Sequence, residues 1–121
     1  RLRLCIDHLG AVGPDPKEAT FAYIPELLGL ARFPNLAVKA SALPNCSTDD
    51  YPFPSLHEPL RQVYDAFGPQ RVFWGSDLTR LRCPYRELVT MFTEGLPWLK
   101  GSELEWVMGR GVCEWFGWKT S

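Results

Sequence analysis

The fold of this chain is decided by residues 71–77, which read RVFWGSD. Between Val72 and Ser76 the side chains are apolar or small and uncharged, which is typical of a strand buried in a parallel sheet. Gly75 allows close approach of backbone or ligand, and the stretch ends in an acid, Asp77. Because α/β folds place their chemistry at the carboxyl ends of such strands, Asp77 is a candidate catalytic residue. The alternative is that Asp77 caps the following turn through its side chain.

Two other segments have the composition of buried strands. Residues 2–7, LRLCID, are apolar apart from one arginine and the final acid, and His8 follows them. Residues 36–41, LAVKAS, carry Lys39 near the carboxyl end and Ser41 at it. The carboxyl ends of parallel strands meet on one rim. The polar residues that end all three segments are therefore expected to lie in one neighbourhood.

Helical segments alternate with these strands. After a loop at residues 13–16, a helix is predicted to begin near Pro25, because proline deep inside a helix costs about 3 kcal/mol. Capping boxes, a serine followed three residues on by a glutamate, are predicted at Ser55 and Ser102, and Pro84 begins a further helix. The repeated order of strand and helix predicts right-handed βαβ units, and hence an α/β fold with a parallel sheet.

The overall composition narrows the classes of partner. The 121 residues suit one domain, and a net charge of -1 without a Lys/Arg stripe argues against a nucleic-acid partner. No apolar run approaches the roughly 20 residues that cross a bilayer, so no membrane segment is predicted. The four cysteines form no Cys-x-x-Cys pair, which favours reduced thiols in a cytoplasmic protein. Because the chain opens without methionine and almost inside a strand, we expect a piece of a longer protein.

The polar residues of the predicted rim suit acid–base or metal-assisted hydrolysis. His8 can move a proton near neutral pH, and Asp77 can bind a metal or accept a proton from water. Arg80 and Arg82, on the loop after the third strand, can hold a substrate carboxylate. Each has a structural alternative: His8 as a hydrogen-bonded core residue, Lys39 as the partner of an acid on the rim, and the arginines as solvated loop charges.

With these residues assembled, the sequence resembles the amidohydrolase-related family, also called amidohydrolase 2. The resemblance rests on residues 6–10 (IDHLG), 35–41 (NLAVKAS) and 71–77, and on the terminal segment 104–118, where Arg110 and its neighbour replace a frequent asparagine. The family includes lactone hydrolases and decarboxylases of aromatic or muconate-type acids. Its fold is a (β/α)8 barrel. The resemblance therefore implies that residues 1–121 form the C-terminal portion of a TIM-like barrel, about strands six to eight, without the N-terminal part.

The resemblance also implies roles for the rim residues. Asp77 is the acid that activates water or binds a divalent metal such as zinc, and His8 positions the water or substrate. Lys39, Ser41 and Arg80 are predicted to contact a small carboxylated or lactone-type substrate. The His-x-His pair of the family's first strand and the histidine of its fifth are not in this chain, so the piece alone is expected to be inactive. Two other functions remain open, a decarboxylase and an inactive binding remnant. A homo-oligomer is also possible.

Overall fold

The computed structural model describes residues 2–11 and 21–120, so the predicted loop at residues 13–16 lies outside the described residues. The strands are β1 (Leu4–Ile6), β2 (Leu36–Ser41) and β3 (Val72–Gly75), and the helices are α1 (Ile24–Leu30), α2 (His57–Phe67), α3 (Tyr85–Thr93), α4 (Gly101–Glu105) and α5 (Gly111–Phe116). A π-helical segment, Trp106–Arg110, joins α4 to α5. Residues 101–116 therefore run as one continuous helix, called the terminal helix below. Short 3-10 turns lie at Asp7–Gly10, Leu43–Cys46, Pro54–Leu56 and Leu78–Arg80.

The strands form a parallel sheet in the order β1-β2-β3. At the centre of β2, Val38 lies opposite Ile6 on one side and Val72 on the other. The central strand is buried along its length except at Lys39. The predicted alternation of parallel strands with helices is confirmed. The arrangement gathers the carboxyl ends of the three strands on one edge.

The first face of the sheet packs against α1 and α2. Val38 and Ala40 of β2 are fully buried in this core. The apolar stripe of α2 is buried with them, namely Leu56 just before the helix and Leu60, Val63, Tyr64 and Phe67 within it. The stripe could be predicted because apolar side chains spaced three and four residues apart share one side of a helix.

The second face of the sheet is covered by the terminal helix. Val72 and Trp74 pack towards the first core, and because side chains alternate along a strand, Phe73 between them points the other way. The Phe73 ring packs against Gly111 and lies 6.0 Å from the Trp115 ring, centroid to centroid. With 1% of its surface exposed, Phe73 is sealed between the sheet and this helix.

Arg71, the first residue of the RVFWGSD segment, closes the amino end of the sheet. Its Nε donates to the Phe67 carbonyl at 3.2 Å, and its two Nη atoms donate to carbonyl oxygens of the α1–β2 region. Those acceptors are Ala31 at 2.9 Å, Phe33 at 2.9 Å and Leu36 at 3.0 Å. Arg71 therefore ties the end of α2 to the start of β2 and has a structural role.

Both predicted capping boxes are wrong. Helix α2 begins at His57 and has no side-chain cap; the Ser55 backbone N–H donates to the Asp49 carboxylate at 2.7 Å. Asp49 thus satisfies a backbone donor just before the helix. Helix α4 begins before Ser102, at Gly101, whose φ of 61° makes the turn into the helix through the backbone.

The four cysteines are free thiols, which agrees with the predicted reduced state: Cys5, Cys46, Cys83 and Cys113. Burial raises the pKa of the Cys5 thiol to about 11, so this thiol is protonated at neutral pH and is a poor nucleophile. Across residues 2–11 and 21–120, no helix has the length and apolar character needed to cross a membrane.

Candidate active site at the carboxyl edge of the sheet

Each strand of the sheet is followed by a residue with left-handed backbone. The φ and ψ angles are 54° and 36° at His8, 51° and 28° at Ala42, and 45° and 53° at Asp77. Such angles cost a residue other than glycine about 1–3 kcal/mol, and strain of this kind concentrates at functional sites. His and Asp are among the side chains that adopt this conformation most readily. The strained positions therefore mark the same edge as the predicted catalytic residues.

The Asp77 carboxylate is directed to His8 and not to the following turn. The turn is closed by backbone alone, with the Arg80 N–H donating to the Asp77 carbonyl at 2.9 Å, and the side chain makes no capping hydrogen bond. Oδ2 of Asp77 lies 3.6 Å from Nε2 of His8. The turn-capping alternative for Asp77 does not describe this geometry.

Ser41, at the end of β2, holds the His8 ring. Nδ1 of His8 lies 2.7 Å from the Ser41 hydroxyl and 3.2 Å from the Ser41 carbonyl oxygen. The hydroxyl also accepts the His8 backbone N–H at 3.3 Å. With the hydrogen on Nδ1, the ring donates to the Ser41 oxygens, of which the carbonyl can only accept. The lone pair of Nε2 then faces Asp77.

His8 and Asp77 can share one water molecule that lies beside them. A separation of 3.6 Å is too long for a direct hydrogen bond, and in this tautomer both facing atoms are acceptors. One water molecule can donate a hydrogen to each of them. The two side chains are 32% and 28% exposed, so water and a substrate can reach the pair.

Lys39 and Asp7 form a second pair at this edge. Nζ of Lys39 lies 2.8 Å from Oδ1 of Asp7. This hydrogen bond raises the pKa of Lys39, while partial burial acts in the opposite direction. Lys39 therefore keeps its charge at neutral pH. It has the acidic partner on the rim that the structural alternative proposed, and it also lines the pocket described next.

These side chains surround one pocket of about 410 Å³. Four of the five predicted site residues line it, His8, Lys39, Ser41 and Asp77, together with Asp7, Phe73, Trp74, Gly75 and Val112. The sequence carried a partial signal for Asp7, since it ends an apolar strand beside His8. It carried none for Phe73 and Val112, because their place depends on where the terminal helix packs.

Arg80 is the predicted site residue that stands apart. It is exposed on the 3-10 turn after Asp77 and is not among the residues that line the pocket. Arg82 is also exposed, two residues further along the same loop. The structure therefore brings His8, Lys39, Ser41 and Asp77 together and leaves the arginine side chains outside the pocket.

A divalent metal would find two donors here, Nε2 of His8 and Oδ2 of Asp77. Within residues 2–11 and 21–120, no three His, Cys, Asp or Glu side chains cluster closely enough to hold a metal ion. Zinc sites in proteins use three or four protein ligands. The described part of the chain thus supplies only a partial ligand set, and a metal role for Asp77 stays a prediction.

Comparison with known families gives one match across almost the whole chain. The family model described as amidohydrolase matches residues 1–119. No curated protein matches the chain.

Solved structures of similar fold include an amidohydrolase from Burkholderia multivorans with bound HEPES. It has a TM-score of 0.79 and 24% identity, over 96% of this chain and 45% of that chain. Another crystal structure of an amidohydrolase from that organism, with bound zinc, gives the same TM-score and identity over 96% and 44%. A candidate 2-pyrone-4,6-dicarboxylic acid hydrolase from Pseudomonas putida has a TM-score of 0.74 and 20% identity, over 99% and 45%.

This chain therefore spans less than half the length of the solved structures that it resembles. At these identities the likeness concerns the fold. It confirms the predicted fold class, a portion of a TIM-like barrel in which parallel strands alternate with helices.

Proposed function

The chain belongs to the amidohydrolase family, and on that premise we propose that the whole protein hydrolyses a small carboxylated or lactone-type substrate where His8 and Asp77 meet. One observation carries the proposal. The His8 Nε2 and Asp77 Oδ2 atoms face each other at 3.6 Å in a solvent-accessible pocket, with Ser41 holding the other ring nitrogen. This arrangement suits the activation of one water molecule.

In the proposed reaction, the water donates its hydrogens to Nε2 of His8 and Oδ2 of Asp77. Asp77 takes one proton as the water oxygen attacks the carbonyl carbon, and His8 keeps the water oriented. The new carbon–oxygen bond forms, the ring carbon–oxygen bond of the lactone breaks, and the departing oxygen receives the proton from Asp77. The products are a hydroxy acid and a regenerated carboxylate.

Lys39 is the proposed contact for an anionic group of the substrate. Among the residues that line the pocket in the described ranges, it alone carries a permanent positive charge. Its hydrogen bond to Asp7 keeps the ammonium in place and raises its pKa. We propose that Lys39 binds a substrate carboxylate and that Arg80 meets a second anionic group from the loop above. Ser41 then acts mainly by holding His8, since its hydroxyl is buried and already bonded to that ring.

A divalent ion such as zinc, if the whole protein binds one, would take Asp77 as a ligand. When bound, such an ion lowers the pKa of a coordinated water and polarises a carbonyl oxygen. The acid–base roles proposed above for His8 and Asp77 are derived from their own geometry.

The test uses the full-length protein and a lactone that carries two carboxylates, 2-pyrone-4,6-dicarboxylate. We expect Asp77→Asn to lower turnover by about 10² to 10⁴, the usual loss when an acid–base residue is removed. The matched control is Asp65→Asn, which removes an exposed carboxylate that pairs with Arg61 on α2. It should leave turnover unchanged.

Three results would count against the proposal. Near-normal turnover by Asp77→Asn would return that residue to a structural role. Release of carbon dioxide without ring opening would indicate a decarboxylase. Absence of turnover with this lactone and with the uncharged lactone dihydrocoumarin would remove the hydrolase proposal for lactones.

A further inference from the structure

Asn45 joins the loops that follow β2 and β3. It lies in the 3-10 turn Leu43–Cys46, which comes directly after Ala42, the left-handed residue that follows β2. Its Nδ2 donates to the Arg80 carbonyl oxygen at 2.6 Å, and its Oδ1 accepts the Arg82 backbone N–H at 3.1 Å. A flipped amide would face donor with donor and acceptor with acceptor, so these partners also fix the orientation of the side chain.

We propose that Asn45 is a positioning residue, which holds the loop after Asp77 so that the exposed Arg80 side chain can meet an anionic group of the substrate. The loop's own hydrogen bonds are local: Arg80 N–H to the Asp77 carbonyl at 2.9 Å and Leu81 N–H to the Leu78 carbonyl at 3.3 Å. These bonds shape the turn, but they do not attach it to the rest of the sheet edge. Asn45 makes that attachment, on both sides of Leu81.

The consequence concerns how Arg80 acts. Its side chain is exposed and lies outside the pocket lining, so the position of the loop backbone limits where the guanidinium can reach. Asn45 fixes that path from the turn that follows β2, the strand that carries Lys39. Lys39 and Arg80, the two cations proposed to hold an anionic substrate, are therefore both positioned by β2 and the turn that follows it. This inference rests on the proposed function for the role of Arg80, whereas the attachment by Asn45 can be tested without activity.

The first experiment measures hydrogen exchange at the Arg82 backbone amide in the full-length protein. Asn45→Ala should speed exchange about 5-fold, the effect of losing one ordinary hydrogen bond. Asn35→Ala is the matched control, because Asn35 also donates from Nδ2 to a backbone carbonyl, that of Leu2 at 3.0 Å, before β2 begins. It should leave Arg82 unchanged. Unchanged exchange in Asn45→Ala would overturn the attachment and with it the proposal.

The second experiment separates positioning from general stability. With 2-pyrone-4,6-dicarboxylate, Asn45→Ala should raise KM about 5-fold and leave kcat within about 2-fold, since the loss of one ordinary hydrogen bond that holds the loop has this order of worth. With dihydrocoumarin, which has no carboxylate, KM should not change. Arg80→Ala should raise KM in the same way, and the double variant should be no worse than Arg80→Ala alone.

The outcomes are distinguishable. Additive effects of Asn45→Ala and Arg80→Ala on KM would overturn the claim that Asn45 acts through Arg80. A fall in kcat on both lactones would overturn it too, because that result means a general disturbance of the site. If the unaltered protein turns over neither lactone, the proposed function fails, and the exchange experiment still decides whether Asn45 holds the loop.

Discussion

Replacing Gly111 with alanine should destabilise the protein by crowding Phe73, one of the residues that line the pocket. A Cβ at this position would lie 2.9 Å from the Trp106 carbonyl oxygen and 3.0 Å from a ring carbon of Phe73. Neither neighbour can move freely, because Trp106 contributes backbone and Phe73 is 1% exposed. Overpacking of this kind costs about 1–3 kcal/mol. Alanine in place of glycine within a helix returns about 1 kcal/mol of that cost.

Gly109→Ala in the same helix supplies the matched control. Beyond its own helix backbone and chain neighbours, no atom lies within 4 Å of a Cβ built at Gly109, so this variant gains helix propensity without a clash. The propensity term cancels in the comparison, and Gly111→Ala should be less stable than Gly109→Ala by about 1–3 kcal/mol.

The assay is urea unfolding of the full-length protein, read from the midpoint and slope of each variant. In a Phe73→Leu background, Gly111→Ala should cost less than in the unaltered protein, because the ring is gone and only the contact with the Trp106 carbonyl remains. Equal stability of the Gly111 and Gly109 variants would refute the reasoning and mean that the terminal helix does not press on Phe73.

Two further predictions concern stability. Arg71→Met should lower the free energy of unfolding by about 1–3 kcal/mol, because it removes the hydrogen-bond donors of partly buried carbonyl oxygens. Arg71→Lys should recover only part of this loss, since an ammonium cannot match the planar guanidinium fork. A denaturation midpoint of Arg71→Met equal to that of the unaltered protein would contradict this prediction. Burial raises the pKa of Cys5 from 9.0 to about 11 and that of Tyr23 from 10.0 to about 12. In the unfolded chain both groups lose their protons at a lower pH than in the folded protein. The free energy of unfolding should therefore be unaffected by these groups below about pH 9 and decline between pH 9 and 12. Unfolding midpoints that do not change between pH 9 and 12 would contradict the burial of Cys5 and Tyr23. Cys5→Ser should reduce the decline at the lower end of this pH range.

The elements that could be predicted from sequence are those specified by local pattern. Strand β2 has its predicted bounds because LAVKAS is a continuous run of strand-compatible residues. The buried stripe of α2 follows from helical spacing. The capping box at Ser55 failed because Asp49, six residues earlier, reaches the same backbone donor. The packing of Phe73 against Gly111 could not be predicted from the sequence either, because it depends on which face of the sheet the terminal helix covers.

The candidate site, too, could be predicted from the sequence only in part. Residue types at strand ends were enough to put His8 and Asp77 on one rim. Their strands flank β2, so the two backbones are expected to lie roughly 10 Å apart. The 3.6 Å contact between the side chains requires more than strand order. At both residues the left-handed backbone turns the chain away from the strand direction immediately after the last paired residues. Neither conformation is specified by the apolar pattern before it.

Gly75 connects these features. It lies opposite Ser41 in the β2–β3 register, and a Cβ on Gly75 would lie 3.0 Å from the Ser41 Cβ. The close approach that glycine allows at the end of β3 is therefore used by a neighbouring side chain. Ser41 occupies that space and binds Nδ1 of His8 at 2.7 Å, which leaves Nε2 facing Asp77. The RVFWGSD segment thus positions both members of the pair, Asp77 directly and His8 through the room that Gly75 gives to Ser41.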